Sequence, residues 1–100
     1  MSAPAFGLAD DASGGLRATG AISFANARQA LGRLPAPARG GALMLDLGAL
    51  DGGDSATLAV LIAWSAAARR AGASIRYRHA PRGLRNLAHL CEVEELLGFV

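Results

Sequence analysis

The sequence predicts an α/β domain: a small mixed β-sheet covered by helices. Three observations carry this. Residues 42–48, ALMLDLG, form a short apolar run of the kind that makes a buried central strand. A long apolar helix pattern follows it, from about Ser55 to Ala71, and then comes a second strand pattern, ASIRYRH. Strand, helix and strand in that order favour parallel pairing through a right-handed crossover.

Taken from the N-terminus, PAFGLADDASGGLRATGAIS reads as a hairpin, with two short apolar segments around the turn-forming DDASGG. In FANARQALGRL, the residues Ala27, Ala30, Leu31 and Leu34 fall at i, i+3, i+4 and i+7, one face of a helix. Ser23 or Asn26 is placed to cap it; Pro35 and Pro37 stop it, leaving PAPARGG as a loop. DGGD ends the central strand, and Gly72 ends the long helix. In ASIRYRH, Ile75 and Tyr77 alternate with Arg76 and Arg78, a strand with one wet face. PRGLRNLAHLC is a helix with Pro81 near its start and Leu84, Leu87, Ala88 and Cys91 on its inner side; EVEELLGFV reads as a last short helix. The predicted order is β-β-α-β-α-β-α-α, in a single domain spanning residues 1–100, with helices over one face of the sheet or most of it.

Composition narrows the function classes. The chain is 52% apolar with few aromatics, so its core is built from Leu, Ala, Val and Ile. All ten basic residues are arginine. A P-loop needs a lysine on the phosphates, so nucleotide hydrolysis of that kind is excluded, and GALDGG lacks the spacing of a dinucleotide fingerprint. The lone Cys91 makes no internal disulfide, and the N-terminus lacks a signal-peptide pattern. The longest apolar stretch, roughly Ala56 to Ala68, is too short for a bilayer span and runs into Arg69 and Arg70. A soluble, cytoplasmic protein without membrane insertion is expected.

Candidate chemistry is sparse. Metal binding would draw on His79, His89 and Cys91, but positions 89 and 91 point in different directions on a helix, so no metal or other cofactor is expected. Ser55, His79 and Asp46 supply the residue types of a hydrolytic triad, a weak signal in any chain of this length. Arg69, Arg70, Arg76, Arg78, Arg82 and Arg85 crowd the last third, yet no aromatics interleave for base stacking; they read as a solvated face, with no nucleic-acid partner.

Ser55 carries two readings. Asp54 or Ser55 caps the long helix, a role worth about 1 kcal/mol. A serine at a helix start after a strand is also a site where a phosphate would meet the positive end of the helix, with Asp51 and Asp54 opposing the added charge. Along that helix, Leu58, Leu61, Ile62 and Ser65 form one stripe, and Thr57, Val60, Trp64 and Ala67 form a second. The second stripe is either packed beneath the C-terminal helices or an exposed docking strip anchored by Trp64.

The segment LMLDLGALDGGDSATLAVLIAW…ARRAGASIRY resembles the STAS domain, the fold of bacterial anti-sigma-factor antagonists. A buried strand reaches Asp46; eight residues on, Asp54-Ser55 opens a helix that ends in basic residues, Gly72 and a strand. LRATGAISFANARQAL and APRGLRNLAHLCEVEELL extend the resemblance over nearly the whole chain. Within the family, Trp64 and the C-terminal part look most like the small MlaB-type subunit of the bacterial phospholipid ABC transporter. The resemblance implies a non-enzymatic interaction domain that binds the transporter's ATPase subunit through Asp54, Ser55, Ala56 and Thr57, with Val60 and Trp64 further along. It places the protein in the cytoplasm, at the inner membrane through its partner, and leaves a homodimer open. The alternative branch implies an anti-sigma-factor antagonist, with Ser55 phosphorylated by a partner kinase. The family's usual glycine two residues after the Ser is Thr57 here, which fills space that a partner backbone would approach and offers a second hydroxyl.

Overall fold

A computed structural model describes residues 6–11, 15–33, 40–51 and 54–100. The elements run β1 (Gly7–Asp10), β2 (Leu16–Gly20), α1 (Ala27–Arg33), β3 (Ala42–Leu50), α2 (Ser55–Arg70), β4 (Ser74–Arg78), α3 (Arg82–Leu90) and α4 (Glu94–Leu97). This is the predicted order. The four strands lie in sequence order, with β1 antiparallel to β2 and the pairs β2–β3 and β3–β4 parallel. The DDASGG turn lies partly, and Leu34, Pro35 and Pro37 wholly, outside the described residues.

One face of the sheet carries the core. Ala18, Leu45, Leu47, Ile75 and Tyr77 point into it and are buried. Their neighbours along the strands face the other way: Arg17 and Arg76 are exposed and Asp46 is half-buried. β3 runs two residues beyond the predicted run, and its phase changes on the way. Arg17 pairs with Asp46 but Thr19 pairs with Ala49, so β3 contains one more residue than β2 across this interval. This β-bulge turns Leu50, not Ala49, into the core.

Helix α2 sits at the centre, against α1, α3, α4 and β4. It buries most of both stripes: Leu58, Leu61 and Ser65 of one, with Ile62 half-buried, and Thr57, Val60 and Trp64 of the other, with Ala67 exposed. Tyr77 fixes the first stripe: its hydroxyl donates to the Leu61 carbonyl at 2.8 Å. With that proton committed, the Ser65 hydroxyl donates to the Tyr77 oxygen at 3.0 Å. Burial pushes the Tyr77 hydroxyl well above the usual phenol range, so this pair stays neutral. Trp64 fixes the second stripe: its Nε1–H donates to the Ala30 carbonyl at 3.0 Å, and its ring lies 5.9 Å from that of Phe6.

Three local expectations change. Asn26 does not turn its side chain into α1; it accepts from the Ser23 N–H at 2.8 Å and donates to the Ala21 carbonyl at 2.8 Å, bracing the chain that enters the helix. Cys91 is exposed and not on the inner side of α3, because that helix ends at Leu90 and the chain reverses through Glu92 at φ 58°. The last helix stops at Leu97. Gly98, at φ 61°, turns the tail so that Phe99 bridges Tyr77 and Val100 donates to the Tyr77 carbonyl at 2.9 Å, covering the outer edge of β4.

Trp64 is the one tryptophan, so its fluorescence reports unfolding. Trp64→Ala removes the bond to Ala30 together with a fully buried ring and is expected to lower stability by about 3–5 kcal/mol in urea titrations followed by circular dichroism. A loss below about 1 kcal/mol would contradict this packing.

Candidate functional site

The start of α2 is built from both ends of a short hydrogen-bond chain. Asp54, in extended conformation at φ −102° and ψ −173°, is the N-cap; its Oδ1 accepts from the Thr57 N–H at 3.0 Å. Of the two capping residues the sequence allows, Asp54 therefore takes the role, and Ser55 is the first residue inside the helix. The Thr57 Oγ1 lies 3.1 Å from the Ile22 carbonyl and 3.2 Å from Asp54 Oδ1, so its single proton is shared between them. Thr57 itself is 1% exposed. The extra hydroxyl at the family's glycine position thus points inward and ties α2 to the segment leaving β2.

The consequence for Ser55 is direct. With Asp54 capping and Thr57 buried, Ser55 is left exposed at the helix start, and among the described residues its hydroxyl makes no hydrogen bond. Asp51 and Asp54 are exposed nearby in the chain. The positive end of α2 and the Asp54 carboxylate therefore meet at one corner. Of the six residues expected to meet a partner, only Asp54 and Ser55 are exposed; Ala56, Thr57, Val60 and Trp64 are 1–2% exposed. The strip expected through Val60 and Trp64 packs against α1 because the Trp64 indole N–H finds its acceptor in the Ala30 carbonyl there.

What lies outward on α2 is a shallow apolar groove shared with α1, lined by Phe24, Ala27 and Leu31 on one side and Ala56, Ala59, Val60 and Ala63 on the other. No sequence pattern singled it out as a site. The signal was present, since positions 24, 27 and 31 and positions 56, 59 and 63 each follow helical spacing, but alanine on a helix surface reads as bland.

The residues of the weak triad divide. His79 and Asp46 do come together: His79 Nδ1 is 3.1 Å from Asp46 Oδ2, on the side of the sheet away from the helices. Asp46 Oδ1 accepts the Gly48 N–H at 2.7 Å inside the β-bulge. That backbone bond first, then His79 and the Arg17 charge, holds the Asp46 carboxyl below its usual range despite some desolvation. His79 reaches it from a left-handed backbone, φ 58°. Gly48 leaves the room: a Cβ there would stand 3.0 Å from Asp46 Oδ1 and 3.3 Å from the His79 Cβ. Ser55 belongs to α2 and makes no hydrogen bond with either residue among those described. His89 pairs with Glu94 at 2.6 Å on the exposed surface rather than with Cys91. The six arginines that crowd the sequence also separate: Arg69 and Arg70 end α2, Arg76 and Arg78 lie on β4, and Arg82 and Arg85 lie on α3, where the Arg85 guanidinium sits 5.8 Å from the Phe99 ring centroid.

The two hydroxyls at this corner predict opposite responses. Thr57→Val leaves the buried Ile22 carbonyl without its donor and is expected to destabilise the fold by about 1–3 kcal/mol. Ser55→Ala removes an exposed group and is expected to change stability by less than about 0.5 kcal/mol. Denaturant midpoints of the two variants check this; the reverse order would contradict the geometry.

Comparison with curated proteins finds no match. Comparison with protein families matches the MlaB-type STAS domain over residues 8–98, which spans all the elements described above but for the first residue of β1. With its β-β-α-β-α-β-α-α order and a helix start that follows the central strand, the chain belongs to the MlaB-like STAS domains, a family of protein-interaction modules.

Proposed function

We propose that this domain is the accessory subunit that binds the ATPase of a phospholipid-transporting ABC system, and that the Asp54–Ser55 corner is its point of contact. The single observation behind this reading is the division of labour at the start of α2. Asp54 and Ser55 are displayed, while Thr57, one turn in, anchors the helix to the residue leaving β2. A corner held rigidly from beneath presents its exposed groups with little ordering cost on association. The family supports a non-enzymatic interaction role, and the separation of Ser55 from the His79–Asp46 pair argues against hydrolysis at Ser55. No helix among the described residues is long and apolar enough to cross a membrane, which fits attachment to the inner membrane from the cytoplasm through the ATPase.

The exposed Ser55 hydroxyl, which makes no hydrogen bond among the described residues, favours a second reading, an anti-sigma-factor antagonist switched by a partner kinase. A phosphate there would gain from the helix dipole and be opposed by Asp54 and Asp51.

Affinity purification of the tagged chain from a membrane extract separates the two. An ABC ATPase is expected, with Ser55→Ala weakening its recovery a few-fold. Recovery of a kinase instead, with Ser55→Asp abolishing binding and Ser55→Ala leaving it constitutive, would replace the first reading by the second.

A further inference from the structure

The groove between α1 and α2 combines three properties. First, it is apolar and open: Phe24 and Leu31 stand over it at 81% and 46% exposure, and on the opposite side exposed Ala59 and half-buried Ala63 keep the wall low, with Ala56 and Val60 buried beneath. Second, both walls come from helices and the turn that leads into one of them, so the walls offer no free row of backbone donors and acceptors. An extended peptide laid there would leave its own N–H and C=O groups unpaired, whereas a helix satisfies its own. Third, the groove is charged at its ends with opposite sign. Thr57 meets Ile22 at one end of the α1–α2 contact and Trp64 meets Ala30 further along, so the two helices run in the same direction. By position along the two helices, exposed Asp54 stands toward the starting end and exposed Arg33, with Arg69 and Arg70 beyond it, toward the other, while exposed Arg28 lies on α1 between Phe24 and Leu31.

We propose that this groove receives an amphipathic helix of a partner protein. An apolar ridge of that helix lies between Phe24 and Ala59, a basic residue sits at the Asp54 end, and an acidic residue sits at the Arg33 end. The distance from Ala56 to Ala63 is about 10 Å along α2, two helical turns, which suits a ridge of three residues at i, i+4 and i+7. A second copy turned about a two-fold axis would set one concave groove against another and leave both unfilled. That the occupant comes from a partner protein rests on the proposed function; that it is a helix rests on the groove alone.

The probe is a fifteen-residue helical peptide with leucines at i, i+4 and i+7, lysine at one end and glutamate at the other. It is titrated into the whole chain by calorimetry beside a peptide of the same composition with the leucines dispersed around the helix. The ridge peptide is expected to bind at least tenfold more tightly than the dispersed one, and at least tenfold more weakly to Ala59→Glu, a substitution at an exposed helix position that leaves the core untouched. A ridge peptide that does not bind, or binds Ala59→Glu equally well, would overturn the proposal. So would a dimer in sedimentation that Ala59→Glu dissociates, because the groove would then belong to a second copy. An ATPase retained equally by the native chain and by Ala59→Glu would overturn the groove and leave the proposed function standing. Peptide binding without any ATPase retention would do the reverse.

Discussion

The shared proton of the Thr57 hydroxyl, held between the Ile22 carbonyl and Asp54 Oδ1, is the contact on which this account turns. It joins three things that the chain could otherwise have kept apart: the exit of β2, the cap of α2 and the first buried turn of that helix. Because Thr57 is committed inward, Ser55 two residues earlier is rotated outward on the same helix. Because Asp54 is the cap, its carboxylate stays at the surface beside that serine. The exposed corner is thus a product of the buried one.

The rest of α2 extends the same logic. A helix with two buried stripes has little surface left; here what remains is Ser55 at its start, four alanines and Ile62 along its length, and Arg69 and Arg70 at its end. Tyr77 and Trp64 are the two large side chains that lock the stripes, each with a polar atom that finds a helix carbonyl. Both bonds lie where water is excluded, so each fixes the helix against sliding as well as against leaving. A docking surface on such a rigid element needs few polar groups. A hydroxyl, a carboxylate and an apolar groove are enough to set orientation.

Much of this was legible in the sequence. The apolar run around Leu45, the helical pattern after Ser55 and the alternation at Ile75 and Tyr77 give strand, helix and strand because each period is set by what the sheet buries. The choice between Asp54 and Ser55 as cap was not legible, since both side chains have the chemistry and only the backbone decides. The fate of Trp64 was not legible either: a helical stripe of Thr57, Val60 and Trp64 looks the same whether α1 or a partner covers it, and the acceptor that settles it, the Ala30 carbonyl, carries no mark in the sequence. The β-bulge that turns Leu50 inward left only a faint sign in Gly48, and the groove left none beyond repeated alanines.

The most direct measurement is residue-resolved amide hydrogen exchange at the start of α2. The Thr57 amide, bonded to Asp54 Oδ1, is expected to exchange as slowly as the core of the helix, and the Ser55 amide near the rate of a free chain. Thr57 exchanging as fast as Ser55 would show that the corner is not anchored from beneath, and the case for a fixed, outward-facing serine would fail with it.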